Sequence, residues 1–486
     1  MNLHNKILLL FLMLVCTFPL QAQQNTTMYH MYGVPQSNSL NPAFQSSYNF
    51  YIGIPAIAPL YVNGNNNPLS FDDIVKHNDQ IDSLITPFHP KGNRQEFLNL
   101  FKDNNFVNGD FSTGLFSIGL RINEMFFTFD INDKASVHFN YPKDLITAAL
   151  SDGFPDNTTY NWSKLGIDAQ YYREYALGVS RHINDRLTLG LKGKLLFGKA
   201  DIHTTNSLMK IRSGYKSWDL QSDATVHSSL PFVKWKYDKN GKLDWDNIET
   251  KKFKGDTIRQ IVMNTGNPGF ALDAGFEYKV DDHFTVSGSL IDLGFIRWRK
   301  EITNLSLKGN YTFEGELVNS YNKDSISDAA NAILDTLKNE FYLEGHDAYT
   351  TYLSGKMYLG ASYNFNNRLS FGLLSSSQIY NKKLYQQLTL SCNLQPIRLL
   401  STSVCYSLLN NKSQNLGFGL SLKLINLNIY AICDQVPLHW AKSKNSEDGP
   451  GYIPYKTKGM DLRLGVNLVF GKEKSKKRLQ DQPLIE

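Results

Sequence analysis

From Phe111 onward the chain alternates apolar and polar residues with a period of two. Phe116, Ile118, Leu120 and Ile122 alternate with Ser117, Gly119 and Arg121, and Met125, Phe127, Phe129 and Ile131 enclose Thr128 and Asp130. Between Arg186 and Phe197, the residues Leu187, Leu189, Leu191, Leu195 and Phe197 hold one parity against Thr188, Gly190, Lys192 and Lys194. Residues 270–280 set Leu272, Phe276 and Tyr278 against Asp273, Glu277 and Lys279, and 356–365 and 416–424 repeat the theme. Near the end, Leu462, Leu464, Val466, Leu468 and Phe470 oppose Asp461, Arg463, Gly465 and Asn467. Successive side chains of a strand point to opposite faces, so each stretch predicts a strand with one greasy and one wet side. The pattern recurs without helices to cover so many greasy faces. It predicts an all-β fold, a transmembrane antiparallel β-barrel with lipid outside and water inside, of about 14 strands with 12 to 16 open.

The connections fit that architecture. His182-Ile-Asn-Asp-Arg-Leu-Thr-Leu-Gly190, Val280-Asp-Asp-His-Phe-Thr-Val-Ser-Gly288 and Asn364-Phe-Asn-Asn-Arg-Leu-Ser-Phe-Gly372 form a weak internal repeat of tight Asn/Asp turns. Long connections are expected at 201–268, which has room for a further strand pair, and at 299–348 and 434–459. A surface helix is expected at 325–338. Two adjacent apolar residues before Asp292 break the phase and predict a β-bulge. The first strand candidate, 50–57, contains Pro55, which demotes it or marks a bend. Residues 63–110 read as two short helices, one capped by Ser70 ahead of Asp72 and Asp73 and one after Asn93, forming a plug in the lumen or a cap at one mouth. The spacing leaves both open.

Lys6, an apolar run over 7–15 and Leu20-Gln21-Ala22 predict a secretory signal over 1–22, cleaved after Ala22. That run is too short to span a bilayer as a helix, which takes roughly 20 residues, and no later run is longer. Cys16 has Val15 before it rather than Gly or Ala, so lipidation is not expected. The domain reading is then a single barrel over 23–471 and a basic periplasmic tail over 472–486. Aromatics at 13% suit the rings that girdle a barrel at both interfaces. After the signal, Cys392, Cys405 and Cys433 remain, an odd number that argues against a disulfide framework. A net charge of +5 is too slight and dispersed to predict a nucleic-acid partner.

Several phrases resemble a known family when taken in order. They are Leu40-Asn-Pro-Ala-Phe44, Tyr141-Pro-Lys-Asp-Leu-Ile146, Tyr172-Arg-Glu-Tyr-Ala-Leu-Gly-Val-Ser180 and Leu189-Gly-Leu-Lys-Gly-Lys-Leu-Leu196, followed by Asn415-Leu-Gly-Phe-Gly-Leu420, Ile429-Tyr-Ala-Ile-Cys-Asp434 and Leu462-Arg-Leu-Gly-Val-Asn-Leu-Val-Phe-Gly471. Together they resemble an uncharacterised outer-membrane barrel family of Bacteroidota, a domain of unknown function. That family is distantly similar to the PorP/SprF membrane proteins of type IX secretion and to FadL-like barrels. Gln435-Val-Pro departs from it, where relatives carry Asn after the Asp. The resemblance implies an outer-membrane location and brings no catalytic residues.

No His-Glu-x-x-His, Cys-x-x-Cys, Gly-x-Ser-x-Gly or phosphate-cradling loop is present, and His182, His203 and His227 are too far apart for metal-ligand spacing. The acids at 72–73 and 281–282 fit helix-start and turn chemistry. No cofactor, metal or catalytic residue is expected. The constellation left is the lumen-facing set Arg121, Lys192, Lys194, Asp273, Glu277, Lys279 and Arg463, which selects solutes in an open pore or pairs across a plugged one. Mixed signs favour pairing. Arg463, Gly465, Leu468 and Phe470 also resemble the C-terminal signal by which outer-membrane barrels are recognised for insertion.

The function expected is an integral outer-membrane barrel acting as a passive conduit or docking scaffold. The alternatives are a type IX secretion or gliding accessory that does not conduct, and a barrel-embedded hydrolase, which no motif supports. Its partners would be outer-membrane lipid and lipopolysaccharide, the insertion machinery and periplasmic or surface proteins. Oligomeric state is not legible.

Overall fold

A computed structural model describes residues 26–31, 33–78, 81, 83–87, 89–150, 156–214, 217–239, 243–244, 247–251, 254–314, 342–380, 383–409, 413–437, 440–443, 451–454 and 456–472. The signal over 1–22, the helix expected at 325–338 and the tail beyond Lys472 lie outside the described residues.

The alternating stretches become strands of one ring. β1 is Tyr48–Gly53, resumed at Leu60–Asn66. It is followed by β2 (Asn104–Ile122), β3 (Met125–Pro142), β4 (Gly166–His182), β5 (Leu187–Ser213), β6 (Asn267–Lys279) and β7 (Phe284–Trp298). The second half comprises β8 (Lys356–Asn364), β9 (Leu369–Tyr380), β10 (Lys383–Ile397), β11 (Leu400–Leu409), β12 (Ser413–Leu424), β13 (Leu427–Cys433) and β14 (Gly459–Lys472). Each pairs antiparallel with the next. β14 returns to β1, with Phe470 opposite Phe50 and Leu464 opposite Leu60, while β1 also pairs β2. The result is a closed 14-strand antiparallel barrel. Closure leaves no unpaired sheet edge, as a bilayer demands. Among the described residues no helix is long and apolar enough to cross a membrane, a finding that leaves crossing by strands untouched.

Side-chain parity follows the sequence. Leu177, Leu191, Leu195, Leu390 and Val404 point outward and are at least half exposed, at 64%, 54%, 57%, 55% and 50%. In water so much bare aliphatic surface would be costly at roughly 25 cal/mol per Å². Acyl chains remove that cost. A cation on this belt should therefore be penalised, and Leu191→Arg is expected to destabilise the barrel in lipid vesicles by roughly 2–4 kcal/mol. Urea titration of the vesicle-inserted protein measures this, and an unchanged midpoint would show that Leu191 does not face lipid.

One end of the barrel is built from tight turns, and the three repeats share a mechanism. Asn184 Oδ1 accepts from the N–H groups of Arg186 and Leu187, Asp281 Oδ1 from those of His283 and Phe284, and Asn366 Oδ1 from those of Arg368 and Leu369. Side-chain oxygens thus reinforce turns that the backbone also closes, as in the bonds from Ile183, Val280 and Phe365 N–H to the Leu187, Phe284 and Leu369 carbonyls.

The other end carries the long connections. β5 continues past the ring to Ser213 and pairs with Ser217–Ser229, which in turn pairs with Ile302–Glu314. This is the further pair that 201–268 had room for. Its apolar face packs Tyr160, Trp162, Met209, Ile211, Leu220 and Leu307 together. Residues 63–110 also lie at this end where they are not strand. Ser70 and Asp73 form a capping box on Phe71–Ile74, and Arg94–Asn99 packs Phe97, with Phe101 behind it, on Tyr141. These helices stand at the rim. The lumen is occupied instead by the described residues of 26–47, a stretch that shows neither alternation nor helical spacing.

Candidate functional site

Residues 26–47 contain no Asp, Glu, Lys or Arg. They form two 3₁₀ turns, Thr27–His30 and Pro35–Ser39, inside the ring, and Met28, Tyr29, Met31, Val34, Leu40 and Phe44 are buried against Ile291, Tyr358, Leu374, Tyr430 and Ile432. Burial pushes the His30 imidazole down to about 4, so the segment is uncharged at neutral pH. Several of its polar groups find partners on the wall. Asp434 Oδ1 accepts from Thr26 N–H at 3.0 Å and Thr27 N–H at 2.6 Å. Gln36 and Asn467 exchange amide hydrogen bonds, and Asn38 Nδ2 donates to Tyr51 Oη at 3.0 Å. At the foot, Arg121 donates to Gln45 Oε1 and the Ser46 carbonyl before the chain enters β1.

The tightest contact is at Asn41-Pro42-Ala43. Asn41 Nδ2 donates to the backbone carbonyls of Phe276 (3.1 Å) and Gly288 (3.3 Å), and its Oδ1 accepts from Ala43 N–H at 2.9 Å. The wall there is paved with glycine. Gly190 and Gly275 face each other across β5 and β6, and a Cβ at Gly190 would land on the backbone of Pro42 and Ala43, one at Gly275 on the Asn41 side chain. Only glycine allows two backbones this close.

Above the segment, toward the long connections, lies a cavity of about 560 Å³ whose floor includes Gln36, Asn38, Ser39 and Leu40. Its wall carries an ion network. Lys194 Nζ lies 2.7 Å from Asp273, 2.6 Å from Asp292 and 3.7 Å from Glu174, Lys134 lies 2.8 Å from Glu174, and Lys356 lies 3.6 Å from Asp292. Lys192 sits apart, 3.1 Å from Asp130 and 3.3 Å from Asn38 Oδ1. Buried charges are tolerable when paired and hydrogen-bonded, and the phase break supplies part of that pairing. A bulge between Leu272 and Ala274, opposite Leu290–Leu293, turns Asp292 inward at φ 59°, and its N–H donates to Asp273 Oδ1 at 2.8 Å.

The expected lumen set is thus distributed. Lys194 and Asp273 meet in one cluster, Lys192 holds the segment, and Arg121 holds its foot. Glu277 and Lys279 share the inward parity of β6 nearer the tight-turn end, outside the cluster. Arg463 lies outside the cluster, over the Tyr61 ring at 4.8 Å. Gly465 is on the same parity, while Leu468 and Phe470 face outward. Lys134, Asp130, Glu174, Asp292 and Lys356 were not singled out from sequence. Asp130 lay within a recognised alternation whose inward parity marked it, and Asp292 lay at the recognised bulge. His203 and His227 come opposite one another on paired strands, and among the described residues no His, Cys, Asp or Glu group has a metal-binding arrangement.

Residues 42–434 match the model of a family of unknown function, DUF5723. No curated protein matches the chain. Among solved structures, the toluene transporter TbuX of Ralstonia pickettii is similar at 8% identity and a TM-score of 0.40, over 90% of this chain and 94% of that one. A FadL homologue of Pseudomonas aeruginosa is similar at 12% and 0.38, over 93% and 100%, and the toluene transporter TodX of P. putida at 9% and 0.38, over 94% and 97%. Likeness at this level assigns no solute. The barrel itself rests on strand pairing.

Proposed function

The chain belongs to the family of unknown function DUF5723, and for this member we propose an integral outer-membrane barrel that acts as a gated conduit for small polar solutes, without covalent chemistry. The observation that carries this reading is a polar, charged cavity stopped on one side by an uncharged segment of the same chain, docked by hydrogen bonds and a small apolar cluster. A closed ring with an apolar belt, tight turns at one end and long connections at the other fits the outer-membrane arrangement, the tight-turn end facing the periplasm. The cavity then opens outward. Arg463, Gly465, Leu468 and Phe470 of β14 would serve recognition by the insertion machinery, with lipid and lipopolysaccharide around the belt.

Deleting residues 26–46 tests the conduit. The full-length barrel is expected to be nearly silent in planar bilayers, and the deletion to conduct steadily. A deletion variant that folds, as judged by heat-modifiable gel mobility and a β-type circular dichroism spectrum, and yet stays silent would favour a scaffold that binds partners without conducting.

A further inference from the structure

The basic side chains around the cavity are not all paired. Each carboxylate lining it has a basic group within ion-pair distance. Glu174, Asp273 and Asp292 share Lys134, Lys194 and Lys356, Asp130 has Lys192 at 3.1 Å, Asp168 has the His203 imidazole at 3.5 Å, and Asp110 has that of His138 at 4.0 Å. Among the described residues, one basic side chain lining the cavity has no carboxylate within ion-pair distance. Arg463 lines the same cavity and is only 8% exposed, yet among the described residues the one acceptor its guanidinium reaches is the Met28 thioether, at 3.5 Å. Its Nε is buried with no hydrogen-bond partner.

The two acids whose field reaches it, Asp434 and Asp461, are held by backbone donors through their Oδ1 atoms. Asp434 Oδ1 caps Thr26 and Thr27, and Asp461 Oδ1 accepts from the N–H groups of Asp434 and Gln435 at 2.9 Å and 2.8 Å. Asp461 Oδ2 is itself buried with no hydrogen-bond partner. A thioether is a weak acceptor, whereas a guanidinium presents five donors in a fixed fork. A buried, poorly paired guanidinium is costly unless an anion completes it, and a carboxylate matches the fork bidentately.

We propose that the cavity is a binding site for a small hydroxylated carboxylic acid whose carboxylate docks on Arg463. Tyr61 holds the guanidinium plane from one side. Asn132, whose Oδ1 is also buried without a partner while its Nδ2 donates to Glu174, offers an acceptor for a solute hydroxyl. The proposal deepens the conduit reading and rests on it for the cavity's use.

The test uses D-gluconate as probe and D-sorbitol, a neutral polyol of the same chain length, as comparator. Isothermal titration is run on the refolded full mature barrel in detergent at matched ionic strength. Gluconate is expected to bind roughly tenfold or more tightly than sorbitol, the contribution of a charge-assisted pair. Arg463→Gln is expected to erase that preference. Arg463→Lys keeps charge and bulk but not the fork, and should weaken gluconate severalfold; it decides the matter if the glutamine variant does not fold. Equal binding of the two probes by the wild type, binding of neither, or unchanged gluconate affinity in the variants overturns the site. If the barrel lacking residues 26–46 conducts but the wild type shows no gluconate preference, the conduit stands and the anion site falls. If gluconate binds through Arg463 and that deletion variant is silent, the cavity is a receptor pocket and the conduit falls.

Discussion

Replacing Gly190 by leucine is expected to open the barrel without removing any of the plug. The glycine sits where the Asn41-Pro42-Ala43 backbone touches the wall, so a side chain there overlaps Pro42 and Ala43 directly. Neither side can yield cheaply. The wall is held in register by pairs with both neighbours, Gly190 facing Gly275 on β6 and Ser180 on β4, and Pro42 has a fixed ring. The docked state should lose about 1–3 kcal/mol or more from overpacking, and with it the two bonds from Asn41 to the Phe276 and Gly288 carbonyls. At 1.4 kcal/mol per decade, the open fraction should rise roughly fivefold to more than a hundredfold. Gly193→Leu on the same strand is the control, because a Cβ there meets nothing within 4 Å. Planar-bilayer recordings of the two variants are decisive. Frequent openings in the Gly190 variant alone support a docked gate, and equal silence in both would mean that the Asn41-Pro42-Ala43 contact does not close the lumen.

The second large effect concerns stability. Lys194 is 3% exposed and is shared by Asp273, which is fully buried, and Asp292, with Glu174 close by. Lys194→Met keeps most of the side-chain volume and removes the charge, leaving these acids with only Lys134 and Lys356. Removing one partner of a buried ion pair typically costs about 3–5 kcal/mol, because the remaining charge is stranded away from water. Urea unfolding from lipid vesicles at neutral pH should show a loss of that order. The companion Lys194→Met/Asp273→Leu should recover part of it, since an apolar pair strands no charge at those two positions. A single variant as stable as wild type would mean that water already solvates the cluster.

The barrel was legible in the sequence because its signal is local. Leu187 to Phe197 and Leu462 to Phe470 alternate so cleanly that strand, face and membrane follow from parity, and the Pro55 bend and the bulge before Asp292 both stand where the phase fails. The lumenal segment was not legible for the converse reason. Residues 26–47 are shaped by what surrounds them: Asp434, Asn467 and Gly190 are remote in the chain, and 3₁₀ turns leave no period to detect. Helical spacing at 71–74 and 94–99 correctly marks helices but says nothing of their place, and they lie at the rim. Inward parity likewise locates Lys194 and Asp273 on one side of their strands. Which acid meets which lysine depends on the register between strands, and a single sequence does not state it.

The seam completing the ring joins the strand continuous with residues 26–47 to the strand bearing the candidate insertion signal. If β1 and β14 are the last edges to pair, closure would enclose residues 26–47, which are tethered a few residues from the joint. On the proposed conduit reading, assembly and sealing would be one event, sparing the cell a leaky, half-finished pore while the protein is being installed.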